Sequence, residues 1–165
     1  TNALKLDEVQ VSEIMTPRVV VTALDKSLTV EEVFKKTPHL HFARIPVFDE
    51  ELDNIVGIVR RRDLLTQIAD DNDDVRLVDI MDDVRFVPET ITAYSALQSM
   101  LKSHQQLLAV VDEFGSLTGV VAMEDIMESI LGREIFEKDD VAIDMRELAR
   151  NENSEANDPL THKES

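Results

Sequence analysis

Three short motifs occur twice in this chain, in the same order and at nearly constant separation. Glu13-Ile14-Met15 returns as Asp79-Ile80-Met81, and Ile45-Pro46-Val47-Phe48-Asp49 returns as Leu108-Ala109-Val110-Val111-Asp112. Gly57-Ile58-Val59, three residues and Asp63-Leu64-Leu65 return as Gly119-Val120-Val121, three residues and Asp125-Ile126-Met127. The offsets are 66, 63 and 62 residues, so the copies differ only by small loop deletions. One match could be chance; three in register mean an internal duplication. A unit of about 55 residues is marginal alone, so the two copies are expected to pack together and bury both apolar faces.

Each copy reads as strand, helix, strand, strand, helix. Val19-Val20-Val21 and Arg85-Phe86-Val87 are short β-forming runs. Thr29 stands three before Glu32, a capping-box spacing, with Leu28 and Val33 placed as a hydrophobic staple. Thr92 takes the cap position in the second copy, before an apolar stripe of Ala96, Leu97, Met100 and Leu101. Strands are expected at Ile45–Phe48 and Ile55–Val59 around an acidic turn, Asp49–Asn54. Their counterparts are Leu107–Val111 and Thr118–Val121 around the turn Asp112–Ser116. Closing helices are expected from Asp63 to Ala69 and from Asp125 to Leu131. The fold class is therefore α/β (α+β), with two repeats paired about a pseudo-twofold.

Composition removes several functional classes. With 17 basic and 34 acidic side chains the net charge is −17, so a phosphate backbone is an unsuitable partner and no nucleic acid is expected. There is no cysteine, hence no disulfide, zinc–thiolate site or cysteine nucleophile. No apolar run reaches the roughly 20 residues of a membrane span, and no signal-peptide pattern opens the chain. A soluble, intracellular-type segment is expected, and a start at Thr1 suggests a piece of something longer. The run Asp70-Asp71-Asn72-Asp73-Asp74 has the oxygen spacing of a calcium loop. Val75 and Met81 stand where that loop needs its glycine and bidentate glutamate, so it reads as a solvated linker. His39 and His41 could form a two-residue metal clip, but no third ligand follows at a sensible spacing. With four glycines and no Walker or Gly-x-Gly-x-x-Gly pattern, a glycine-rich phosphate loop is absent. No acid/base pair or nucleophile stands out, so an enzyme is not expected.

These words resemble the tandem CBS domain, or Bateman module, over roughly Val11 to Leu131. They are more specifically similar to the CorC/HlyC/CNNM family of membrane proteins. The residues that carry this are Met15-Thr16-Pro17-Arg18, Asp112-Glu113-Phe114-Gly115 and Gly119-Val120-Val121-Ala122-Met123-Glu124-Asp125-Ile126. Leu131-Gly132-Arg133-Glu134-Ile135 and the stretch from Asp144 to Arg150 add to it. The resemblance implies a linker at residues 1–10 from a preceding transmembrane domain, repeats at 11–70 and 77–132, and an acidic linker at 71–76. A C-terminal extension at 133–150 and a disordered tail at 151–165 complete the expectation. It further implies a regulatory, adenine-nucleotide-binding homodimer on the cytoplasmic side of the membrane, attached to a magnesium or cobalt efflux protein. AMP, ADP or ATP would occupy clefts between the repeats, with magnesium, where present, held through phosphate. The alternative is a structural dimerisation module with no nucleotide ligand.

A nucleotide needs an apolar slot for adenine, an acceptor for the ribose hydroxyls and donors for phosphate. An aspartate at a helix start can accept from ribose beside anion-attracting backbone N–H groups, and Asp63 and Asp125 stand so. By the family pattern the Asp125 cleft borrows strands of the other repeat, which assigns to it Thr16, Val19, Val20, Ala43, Arg44, Ile45 and Pro46. Thr16 would donate to base or phosphate, the valines and Ile45 would hold adenine, and Arg44 would reach phosphate. The Asp63 cleft takes Arg60, with Asp82, Arg85, Phe86, Gln105 and Leu107 from the second copy.

Plainer readings stand beside these. Asp125 lies three before Glu128 and could be only an N-cap; Thr16-Pro17 could be only a turn. Ile45 and Pro46 also suit a core strand. Arg60-Arg61-Arg62 reads as a solvated basic patch offsetting Glu50, Glu51 and Asp53, with Arg60 as the alternative phosphate partner. If the strand persists, alternation points Arg60 and Arg62 one way and Arg61 the other. At Ala122 the family usually has threonine or serine, so the Asp125 cleft lacks a hydroxyl worth about 0.5–1.5 kcal/mol.

Overall fold

The computed structural model describes residues 8–137, with side-chain surroundings to 132. In chain order its elements are β1 (Thr16–Pro17), β2 (Leu24–Asp25), α1 (Val30–Lys36), β3 (Arg44–Asp49), β4 (Glu51–Arg60) and α2 (Arg61–Ala69). There follow α3 (Leu77–Ile80), β5 (Phe86–Pro88), α4 (Ala93–Ser103), β6 (Leu107–Val111), β7 (Leu117–Ala122) and α5 (Met123–Glu137). One compact unit ends at Ile126 and a second begins at Met127; both sheets lie in the first. The expected C-terminal extension and tail lie outside the described residues from 138 onward.

Local sequence sets the helix starts. The Thr29 hydroxyl accepts the Glu32 N–H at 3.2 Å while the Glu32 carboxylate accepts the Thr29 N–H at 2.9 Å, closing the capping box. Such a cap is worth about 1 kcal/mol. Val30 and Val33 then point into the first-repeat core, with Leu28 packed against the same cluster. Thr92 caps α4 through the Ser95 N–H at 3.0 Å. The acidic linker does more than dissolve: its Val75 and Asp73 carbonyls accept the Val30 and Glu31 N–H groups at 3.0 and 2.9 Å. These are orphan donors of the first turn of α1, which explains why the linker is held close.

Two sheets form, with strand orders β2-β3-β4 and β1-β7-β6-β5. Each repeat therefore receives an edge segment from the start of the other. β1 pairs antiparallel with β7, Thr16 opposite Val120 and Pro17 opposite Gly119. Reciprocally, Ile58 and Asp82 exchange backbone hydrogen bonds of 2.9 and 2.7 Å. Leu77 is buried in the core of the first repeat with Ile80 and Met81 against it, whereas Val9 and Val11 bond to Ala93 and Ile91 of the second. The duplicated glycines permit this crossing. A Cβ on Gly119 would lie 2.3 Å from the Thr16 carbonyl oxygen, and one on Gly57 2.6 Å from Met81 Sδ and 2.9 Å from the Asp82 carbonyl oxygen. At both sites only a hydrogen fits beneath the Ile-Met motif of the opposite copy.

The seam between the sheets is apolar. Ile55, Ala109 and Leu117 form one cluster and Ile58, Leu107 and Val120 another, with Val84 packed against both. Arg18 latches the exchanged strand by pairing with Asp53 and donating to the Leu117 carbonyl at 3.2 Å. The Leu117 N–H in turn reaches Asp53 at 3.0 Å. Hydrogen bonds from Arg18 and from the Leu117 backbone hold the Asp53 carboxyl below its ordinary pKa.

Four expectations are corrected. Val19-Val20-Val21 is not a strand: Arg18–Val20 form a 3-10 turn, and the strand of that copy is Leu24–Asp25, equivalent to β5. β-propensity yields because strand character depends on a neighbour to pair with. The turn expected at Asp49–Asn54 shrinks to Glu50 at φ 71°, because Leu52 and Ile55 find apolar partners across the seam and Asp53 is held by Arg18. The strand does not run past Arg60, so Arg61 and Arg62 follow helical spacing rather than strand alternation. Finally, α2 and α5 start two residues before Asp63 and Asp125, which makes each the third helical residue and not the cap.

Candidate functional site

The reciprocal exchange of edges opens a cavity of about 410 Å³ where the two sheets meet. Arg44, Ile58 and Arg60 line it from the first repeat and Asp82 and Asp83 from the exchanged segment. His104, Gln105, Gln106 and Leu107 close it from the second repeat, just before and within β6. Ile58 and Leu107 are buried and form its apolar floor, continuous with the seam. That is a slot with one greasy surface and a rim of donors and acceptors, within the size range of small-ligand sites.

Its electrostatics follow from register. β3 and β4 pair Arg44 directly with Arg60, so two cationic residues stand opposite one another on adjacent strands. Like charges in that arrangement repel. Arg60 is relieved: its Nε donates to Asp63 Oδ2 at 2.9 Å and lies 3.6 Å from Asp82 Oδ2. A smaller cavity of about 280 Å³ lies alongside, lined by Ala43, Arg44, Arg60, Arg61, Arg62 and Leu65. Arg44 and Arg60 are common to both.

The corresponding strands of the second repeat follow the same register with different side chains. Thr16 lies opposite Val120 on the edge of β7, and Leu107 opposite Ala122. Asp125 Oδ2 accepts the Ala122 N–H at 2.8 Å, so the carboxylate folds back onto the residue before its helix. This is the returning half of a capping box. Val19 and Val20 stand 90% and 61% exposed on the turn after β1.

The structure thus brings together Arg60, Asp82, Gln105 and Leu107, with Asp63 attached through Arg60, as the sequence grouped them. Arg85 and Phe86 do not line that cavity; Phe86 pairs with Ala109 at a sheet edge. Arg44 pairs in register with Arg60, and Ala43 and Arg44 line the smaller cavity with it. Ile45 and Pro46 are buried in β3, and Ile45 belongs to the core of the first repeat. His104, Gln106 and Asp83 were missed. The motif offset of 63 residues that relates Ile45 to Leu108 also relates His41 to His104, a signal that would have drawn attention to the start of β6. Among the described residues no group of three or more histidines or carboxylates is placed to hold a metal ion, and no helix is long and apolar enough to cross a membrane.

Comparison with known proteins bears on this geometry. The CBS domain family model matches residues 11–70 and again 77–132. Among curated proteins, UPF0053 protein sll1254 of Synechocystis is 32% identical over 88% of this chain and 42% of its own length. Hemolysin C of Brachyspira hyodysenteriae is 32% identical over 87% of this chain and 53% of its own. The magnesium and cobalt efflux protein CorC of Escherichia coli is 32% identical over 86% and 49%. The chain therefore spans about half the length of these relatives or less. Among solved structures, the CBS domain of a bacterial CNNM/CorC family Mg2+ transporter aligns with a TM-score of 0.75 at 35% identity, covering 79% of this chain and 80% of that one. The same kind of domain in complex with ATP aligns at 0.74 and 36%, covering 79% and 93%. A CBS-domain pair with bound AMP from Klebsiella pneumoniae aligns at 0.66 and 26%, covering 74% and 98%.

Proposed function

We propose, for a chain that belongs to the CBS domain family and is homologous to CorC and hemolysin C, that it is a regulatory pair binding an adenine nucleotide between its repeats. The observation that carries this is the 410 Å³ cavity made jointly by both repeats, with an apolar floor and Arg60 at its rim. Relatives of the same fold with ATP or AMP bound support it. A ligand seated on Ile58 and Leu107 touches both sheets, so its binding energy depends on how the repeats are juxtaposed. That dependence is what lets a ligand shift a conformational equilibrium.

The module acts without catalysis, on the cytoplasmic side of a membrane, on an attached domain of the divalent-cation efflux type and as a homodimer. Thr16, Val19, Val20, Ala122 and Asp125 form the second cleft. Arg44, Arg60 and Asp63 serve the first, and magnesium enters through the phosphates of its ligand. The competing reading, a dimerisation unit with empty clefts, is favoured by Ala122, which offers no hydroxyl, and by exposed Leu65, Leu101 and Leu131 on helix surfaces.

Thermal shift with AMP, ADP and ATP, with and without magnesium, decides between them. Ligand at a hundred times its Kd stabilises by about 2.7 kcal/mol and raises the melting temperature. No shift with any nucleotide at millimolar concentration overturns the binding role. Asp125→Ala is expected to weaken nucleotide binding in the second cleft; if it only lowers the melting temperature, Asp125 is a cap.

A further inference from the structure

The chain has six methionines and no cysteine, so all of its sulfur is thioether. Two of the six stand where the repeats exchange segments. Met15 immediately precedes Thr16, which pairs with Val120, and Met81 immediately precedes Asp82, which exchanges backbone hydrogen bonds with Ile58. Each lies over a glycine of the opposite repeat. A Cβ on Gly119 would meet Met15 Sδ at 2.8 Å, and one on Gly57 would meet Met81 Sδ at 2.6 Å and Cγ at 2.8 Å. On that side neither sulfur has room for another heavy atom.

Exposure sets these two apart. Met100 is sealed within α4 and Met127 is exposed on α5, whereas Met15 and Met81 are half-buried. A half-buried sulfur can be reached by a small oxidant, yet it makes packing contacts that an added oxygen disturbs. Their surroundings then differ. The Thr118 hydroxyl lies 3.9 Å from Met15 Sδ, a donor placed to meet a sulfoxide oxygen. Met81 packs instead against the apolar core of the first repeat, where a new polar oxygen is costly.

We propose that Met81 is a reversible oxidation site through which hydrogen peroxide weakens the crossing at Gly57. The sulfur lone pair attacks one peroxide oxygen; the S–O bond forms as the O–O bond breaks, and the other oxygen leaves as water with both protons. Sulfur gives up the two electrons that the peroxide gains. The sulfoxide is polar and larger than the thioether, with a glycine against one side and apolar core against another. Met81 must shift to hold it, and the Asp82–Ile58 bridge begins at the next residue. Ile58 and Asp82 also line the 410 Å³ cavity, so the modification reaches the wall of that cavity. Its effect on a ligand there rests on the nucleotide function proposed above; the oxidation itself does not.

Peroxide treatment of the 165-residue chain, followed by peptide mass spectrometry and thermal unfolding in parallel, tests this. Met127 is expected to oxidise first, Met15 and Met81 next, and Met100 last. The melting temperature should fall by about 3–10 °C in step with Met81 oxidation and recover under the two methionine sulfoxide reductases, one for each epimer. Met81→Leu, close in volume, should resist that loss, and Met15→Leu and Met127→Leu should not. Should Met81→Leu fail to fold, the time course and repair of the parent chain decide alone. A Met81 that stays reduced until the chain unfolds overturns the proposal, as does a loss that follows Met15 or Met127 instead. Calorimetric titration of AMP and ATP into reduced and oxidised chain reads the link to the cavity, with oxidation expected to weaken binding about threefold or more. Equal binding by both forms overturns that link and leaves the nucleotide function standing. Binding by neither form, with the melting loss intact, upholds the oxidation site and overturns the nucleotide function.

Discussion

Across β3 and β4 Arg44 faces Arg60, whereas at the same register of β6 and β7 Leu107 faces Ala122. The helix that follows opens with Asp63 bound to an arginine side chain in one repeat, and with Asp125 bound to a backbone N–H in the other. Duplication kept the parts that make the two halves fit: the glycines, the Ile-Met motif and the buried helix residue. It let the cleft walls diverge in charge. Equivalent positions of one backbone plan thus present different chemistry, although the halves fold alike.

Tests of likeness carry the largest effects. Leu64 and Ile126 occupy equivalent places in α2 and α5 and both are fully buried. Leu64→Ala and Ile126→Ala should each cost about 2–5 kcal/mol in urea unfolding. Values differing by more than the spread of replicate curves would break the equivalence of the halves. Next come the crossing points. A Cβ at Gly119 meets a backbone oxygen at 2.3 Å, while at Gly57 the nearest atom is a flexible methionine sulfur. Gly119→Ala is expected to cost about 3 kcal/mol and Gly57→Ala about 1 kcal/mol. The reverse order in denaturant midpoints would mean that the first crossing is the more rigid.

Smaller effects probe the difference in charge. Arg44→Leu removes a like-charge pair and should stabilise the unliganded chain by about 0.2–1 kcal/mol. A destabilised variant would show that Asp63 and Asp82 already neutralise both arginines. Smallest is the acid response. Asp25, Glu32 and Asp53, all in the first repeat, have pKa values lowered by hydrogen bonds from Ser27, Thr29 and Arg18 respectively. Below the unfolded values of about 3.9–4.3 the unfolded chain binds more protons, so their contribution is present above that range and fades as pH falls through the folded values. Melting temperatures followed downward from about pH 6 should drop below about pH 4, less steeply in Asp53→Asn. An unchanged slope in that variant would remove Asp53 from the account.

Much was legible before any coordinates because its causes are local. The Thr29–Glu32 box, the Thr92 cap and the strands around Val47 and Val110 need only neighbouring residues, and they formed within a residue or two of expectation. The duplicated words were legible for a different reason: a glycine under a crossing backbone admits no side chain, so both copies carry it. Where the sequence misled, partners distant in the chain decided. Val19 and Val20 lacked a strand to pair with, and Leu52 extended β4 by meeting the seam. The sequence by itself determined two like halves and the residue types that could touch a nucleotide. Only the tertiary structure decided that Arg44 shares a cavity with Arg60. Strand register fixes which side chains stand opposite, and register is set by contacts summed over a whole sheet that no short window of residues contains.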